Sequence, residues 1–108
     1  SRVTLDLDGY TITGNADPLT ACNGSSTGGE SGITAANRSG LTIRGPGVVE
    51  RFRGFGITWT NVTASTIMGV TTSTNCMSGI FLSGGALNEL NGNIAIRNGN
   101  LTNPCGGI

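Results

Sequence analysis

The sequence predicts an all-β chain wound as a right-handed parallel β-helix, a solenoid of about three to four rungs of roughly 24 residues. Three observations predict it. A Gly-Ile pair recurs at Gly32-Ile33, Gly56-Ile57, Gly79-Ile80 and Gly107-Ile108, with the isoleucines 24, 23 and 28 residues apart. A second apolar column, Leu7, Ile43, Ile67 and Ile96, keeps step with the first, and two columns sharing a period make a repeat. Between them, short runs alternate apolar and polar residues and end in Gly or Asn, the pattern of strands joined by tight corners. Three short strands per repeat of this length are too few residues for a propeller blade and too much strand for helical repeats. The spacing of leucine-rich repeats is absent. Parallel connections of this kind wind right-handed.

Taken in order, Val3 to Gly9 alternates strictly, with Val3, Leu5 and Leu7 on one face and Thr4, Asp6 and Asp8 on the other. Tyr10 to Gly14 continues after a corner at Gly9, so the opening matches only the second half of a repeat. Residues 15–31, rich in Gly, Ser, Asn and Thr, read as a long loop between this half-rung and the first full rung. That rung runs from Ile33 through Leu41 to Arg44, with a third strand at Val48-Val49 after Gly45-Pro46-Gly47. Arg51 to Gly56 turns the chain into the second rung, Ile57 to Gly69 and beyond. The third runs from Ile80 to Ser83 and from Ile94 to Asn98, with Gly84 to Gly92 as an extra segment of about six residues. Residues 1–108 make one domain or segment.

Composition limits the chemistry. Nineteen glycines and eleven asparagines suit a chain of many corners and disfavour helices. Six basic and six acidic residues give zero net charge, which leaves no electrostatic footprint for nucleic acid. No apolar run approaches the ~18 residues of a membrane span. The chain has no histidine, which excludes a histidine general base, a Ser-His-Asp triad and a His-ligated metal.

The runs Val3-Thr-Leu-Asp-Leu-Asp-Gly-Tyr-Thr-Ile-Thr-Gly14 and Leu41-Thr-Ile-Arg-Gly-Pro-Gly47, with the recurring Gly-Ile, resemble the right-handed parallel β-helix proteins of the pectin-lyase-like superfamily. The resemblance covers nearly the whole chain and implies the fold, but no single chemistry: that superfamily holds lyases, hydrolases and adhesins. Its enzymes place acidic and basic residues on the outward face of one strand and in neighbouring loops. In this sequence the corresponding positions are Thr34, Thr58, Phe81, Ala36, Thr60 and Ser83. A lyase needs a base and a cation or arginine, and an acid/base hydrolase needs two carboxyls. The sequence therefore assigns no catalytic residue.

Stacking of like residues assigns faces. Ile33, Ile57 and Ile80 form one inward column, and Ala35, Trp59 and Leu82 another. Leu5, Leu41 and Ile94 lie near the Leu7 column. Trp59 over small Ala35 reads as core filling. Asn37 and Asn61, each four residues after a column isoleucine, are expected to stack as a two-rung asparagine ladder, with Gly84 at that place in the third rung. Asp6 and Asp8 share an outward face, with Arg44 in Asp8's place one rung on, Met68 next and Arg97 after it. This is read as an exposed Asp8–Arg44 pair; the sharper alternative is a calcium or saccharide contact on Asp6, Asp8 and Arg44. Calcium asks for six to eight oxygens, and no third aspartate stands near. Arg51 and Arg53 flank Phe52 as solvated cations or as a sugar contact.

Cys76 lies four residues before Ile80 and Cys105 three before Ile108, one corner of successive rungs at a separation suited to a disulfide. Cys22 is odd, and pairs with Cys76, Cys105 or another chain as alternatives. No Cys-X-X-Cys is present, so zinc is not indicated. A disulfide points to a secreted or cell-surface protein. Asn-X-Ser/Thr sequons occur at Asn23, Asn37, Asn61 and Asn100, of which Asn23, Asn61 and Asn100 are candidate glycan sites. Two function classes follow. One is a non-catalytic extracellular module for assembly, adhesion or polysaccharide contact, with copies stacking head to tail or joined to flanking rungs of a longer chain. The other is a fragment of a polysaccharide lyase or glycoside hydrolase whose catalytic rungs lie elsewhere.

Overall fold

Short alternating runs of Thr, Ile and Val, interrupted by residues that accept a left-handed backbone, give eleven strands in the computed structural model, in which residues 2–14 and 30–99 are described. They are β1 (Val3–Asp6), β2 (Thr11–Thr13), β3 (Ile33–Ala36), β4 (Leu41–Arg44), β5 (Val48–Glu50), β6 (Ile57–Thr60), β7 (Thr66–Met68), β8 (Thr71–Ser73), β9 (Ile80–Ser83), β10 (Glu89–Asn91) and β11 (Ile94–Ile96). Every pairing is parallel and joins one rung to the next. Sheet 1 is β3-β6-β9, sheet 2 is β1-β4-β7-β10, and sheet 3 is β2-β5-β8-β11. The chain visits sheets 1, 2 and 3 in turn, which makes it a parallel β-helix with three faces.

Each corner has its own device for turning. Sheet 1 strands end in Asn37, Asn61 and Gly84, with φ of 56°, 53° and 70°. Sheet 3 strands end in Arg51, Thr74 and Arg97, with φ of 63°, 50° and 54°. Sheet 2 strands β7 and β10 end in Gly69 and Gly92, at 67° and 62°. This left-handed conformation costs an ordinary L-residue about 1 kcal/mol, so Gly and Asn fill it most readily. Rungs also approach too closely at some corners for any side chain: a Cβ on Gly45 would run into the carbonyl of Gly69.

Inside, like stacks on like. The register pairs Ile33 with Ile57 and Ile57 with Ile80, and Ala35 with Trp59 and Trp59 with Leu82. Leu7, Ile43, Val49, Ile57, Trp59, Val62, Ile67, Val70 and Ile80 form the buried core. Full burial of such a side chain contributes roughly 1.5–3 kcal/mol.

The second apolar column differs from the expected one. Ile43 pairs with Leu5 below and Ile67 above, and Ile67 pairs with Leu90. Leu7 instead sits in the corner, its N–H donating to Arg44 O as Gly45 N donates to Met68 O. Ile96 belongs to sheet 3, opposite Ser73. Gly84 to Gly92 is thus no insertion; it holds the corner and β10. The cause is the period of two along a strand: a shift from Leu5 to Leu7 preserves every face, and in Glu89-Leu90-Asn91 a single leucine marks the inward side. Residues 30 and 31, expected in the loop, already stack on the rung above, since Gly54 N donates to Glu30 O at 2.7 Å and Phe55 N to Ser31 Oγ at 3.1 Å.

Asparagine carboxamides close the coil from within. Asn75 Oδ1 accepts from Phe52 N at 3.0 Å, while its Nδ2 donates to Val49 O at 3.2 Å and to Asn98 Oδ1 at 2.9 Å. Asn98 repeats the figure one rung on, accepting from Asn75 N and donating to Thr72 O. Asn88 bridges Ser65 N and Val62 O, and Asn93 bridges Val70 N and Ile67 O, in the same way at the other two corners. Each amide satisfies backbone groups that the turn takes out of the sheets.

Candidate functional site

The outward face of sheet 1 carries two columns: Thr34, Thr58 and Phe81, then Ala36, Thr60 and Ser83. Neither contains a carboxylate or an arginine. Next to them the corner Arg51 to Gly56 projects Phe55, whose ring stacks on that of Phe81 with centroids 4.5 Å apart and planes 13° from parallel. The corner is held from both sides. Gly54 and Phe55 are tied to Glu30 and Ser31 below, and the Phe52 amide is bound by Asn75 above. Phe81 remains 40% exposed, so an apolar ring face stands beside a row of hydroxyls. Arg53 lies in the same corner with a buried Nε that has no hydrogen-bond partner.

The charged cluster is arranged differently from expectation. Arg44 stands opposite Asp6, not Asp8, and its Nη2 donates to Asp6 Oδ2 at 2.8 Å. Asp8 is in the corner with φ of 48°, and its N–H donates to Asp6 Oδ1 at 3.0 Å. Arg97 follows β11 in sheet 3 and is not in this column; Asn91 is, after Met68. The Arg44 guanidinium, and then the Asp8 N–H, hold the Asp6 carboxyl below its ordinary value. Both Asp6 oxygens therefore already accept from donors, and a cation there would face Arg44. Among the described residues no group of three or more His, Cys, Asp or Glu side chains is placed to hold a metal ion.

Asn61 Nδ2 donates to Asn37 Oδ1 at 3.3 Å, and both residues are exposed. Cys76 is fully buried and disulfide-bonded. Its N–H donates to Phe52 O, which places it at the corner after sheet 3. Cys22, Cys105, Asn23 and Asn100 lie outside the described residues.

Two features escaped the sequence reading. The interior carboxamides Asn75, Asn88, Asn93 and Asn98 were signalled by the spacing of 23 between Asn75 and Asn98, but Asn88 and Asn93 have Ser65 and Val70 one rung below and show no repeat. The Phe55–Phe81 pair has no sequence signal at all, because Phe55 precedes its column isoleucine by two residues and Phe81 follows its own by one. No family model matches the chain, and neither a curated protein nor a solved structure does.

Proposed function

We propose that the chain is a non-catalytic, extracellular β-solenoid module that contacts neutral polysaccharide through the outward face of sheet 1, within the pectin-lyase-like superfamily its sequence resembles. The observation that carries this reading is the stacked Phe55–Phe81 pair beside Thr58, Thr34 and Ser83 on a face without charge. A pyranose presents axial C–H groups on one side and hydroxyls at its rim. An exposed ring with neighbouring hydroxyl side chains suits both, and a flat parallel sheet offers it with little loss of conformational freedom on binding. A secreted or cell-surface setting goes with the bonded state of Cys76, for which we propose Cys105 as the partner on their similar offsets, four and three residues, from Ile80 and Ile108. Peptide mapping without reduction recovers the two linked; a Cys22–Cys76 peptide instead assigns the bond to the long loop.

Affinity electrophoresis against neutral and acidic polysaccharides tests the binding role. Retardation by a neutral polysaccharide, lost in Phe81→Ala with an unchanged circular-dichroism spectrum, is expected. Retardation that survives Phe81→Ala removes the face from the account. Release of reducing ends or unsaturated products by the chain would establish the enzyme-fragment alternative.

A further inference from the structure

At the corner that follows sheet 1, one carboxamide keeps hydrogen-bonding groups open. Asn61 donates one Nδ2 proton to Asn37 Oδ1 at 3.3 Å, and its Oδ1 and second proton have no hydrogen-bond partner among the described residues. Gly84 stands in the same place one rung on, and a Cβ there would run into Asn61 Oδ1. The backbone angle alone does not call for glycine. Asn37 and Asn61 hold φ of 56° and 53° at this corner, and asparagine would serve at 70° as well. What Gly84 adds is an uncovered Asn61 carbonyl. The interior amides Asn75, Asn88, Asn93 and Asn98 are all engaged with backbone groups. Because β6 is paired on both sides, by β3 and β9, the place of Asn61 is set within the described rungs.

The open amide is in line with the aromatic ring. Gly84 lies three residues beyond Phe81, about 10 Å along the strand at ~3.3 Å per residue. Between them stand Thr60 and Ser83, a register pair whose side chains are both exposed, whereas Thr58 next to Phe81 is half-buried. From Phe81 to Asn61 the outward face thus offers an apolar ring, then two hydroxyls, then a carboxamide, with no charged side chain among them. Arg38, which follows Asn37, turns its guanidinium back to Asn37 O at 3.3 Å.

We infer that this line is one extended site for a neutral oligosaccharide of at least two residues, which lies along β6 and β9 and so crosses the coil axis. The inference rests on the reading of sheet 1 as a polysaccharide contact, and adds the direction of the sugar chain and the length it must have. One pyranose covers Phe81. The next passes Thr60 and Ser83 and meets Asn61, whose free N–H and carbonyl serve sugar hydroxyls as donor and acceptor together. The bond to Asn37 holds the amide in place before the ligand arrives, which lowers the ordering cost of binding.

Calorimetric titration of the chain with soluble glucan, mannan, galactan and xylan, and then with the mono-, di- and tetrasaccharides of whichever binds, tests the inference. The disaccharide is expected to bind roughly tenfold more tightly than the monosaccharide, the effect of one or two neutral hydrogen bonds. Asn61→Gly, which takes the left-handed angle freely, removes that gain and leaves monosaccharide affinity unchanged. Gly84→Asn, which covers Asn61 Oδ1 while accepting the same angle, has the same effect. Phe81→Ala loses binding of every length. A disaccharide gain that survives Asn61→Gly and Gly84→Asn overturns the inference, and so does a parent chain that binds mono- and disaccharide equally; with binding still lost in Phe81→Ala, the aromatic contact stands without it. Absence of binding to all four polysaccharides removes the contact and the extended site together.

Discussion

Asn61 and Asn75 are corner asparagines of the same rung, one after β6 and one after β8, and they do opposite work. Asn61 points outward, takes φ of 53°, and among the described residues its amide hydrogen-bonds only to Asn37, at 3.3 Å. Asn75 points inward, is fully buried, and gives all of its hydrogen-bonding groups to Phe52 N, Val49 O and Asn98 Oδ1. At the first corner asparagine serves the backbone angle, and Gly84 does the same work one rung on. At the second the carboxamide itself closes the turn. A repeated asparagine in a coil thus has two separable causes, and only substitution or solvent exchange tells them apart.

Replacing Asn75 separates the two corners most strongly. Asn75→Gly and Asn75→Ala each lower unfolding free energy by about 3 kcal/mol or more, since buried groups left without partners cost about 1–3 kcal/mol each. Urea denaturation measures it, and a loss under about 1 kcal/mol would show that the interior amide is dispensable. Thr72 gives the converse case. Its Oγ1 is buried without a hydrogen-bond partner, in a column with Val49 and Ala95. Thr72→Val therefore raises stability by about 1 kcal/mol, the cost of a desolvated hydroxyl; a destabilised variant would mean that the hydroxyl has a partner after all.

At the outer corner the identity of the substitute decides. Asn61→Gly stays within about 0.5 kcal/mol of the parent, because glycine takes the left-handed angle freely. Asn61→Ala loses about 1 kcal/mol through that angle alone. Equal losses for the two variants would return the exposed amide bond to importance. The smallest effect belongs to the Asp6–Arg44 pair. The folded-state pKa of Asp6 is lowered, so its contribution is present above the ordinary value of 3.8 and disappears as pH falls through the folded value. Comparing acid denaturation of the parent with that of Asp6→Asn shows a shallower acid loss in the variant; identical profiles remove the pair from the acid response.

How much of this was legible in the sequence depended on whether a residue type or a residue position carried the information. The Gly-Ile column and Trp59 over Ala35 were readable because close rung contacts admit only glycine before the strand and because large-on-small filling repeats with the period. The partner of Arg44 was not, since Asp6 and Asp8 share a face and alternation cannot choose between them. The third rung is ambiguous in sequence for the same reason: β10 carries one inward residue, Leu90, while Ile94 and Ile96 offer the stronger apolar alternation. The Phe55–Phe81 contact depends on how a corner with its own hydrogen bonds to Ser31 and Asn75 aims a ring, which no spacing records.

Side-chain carboxamide exchange in solution tests the central contrast most directly. With the asparagine Nδ2 protons assigned by nuclear magnetic resonance, transfer into deuterated water distinguishes bonded, buried amides from open ones. The Asn75 protons, both donated inside the coil, exchange only with opening of the rung, and those of Asn98 follow. The Asn37 and Asn61 protons exchange at the rate of a free carboxamide. Protection of Asn61 equal to that of Asn75, or rapid exchange at both, would contradict the division of labour between the two corners.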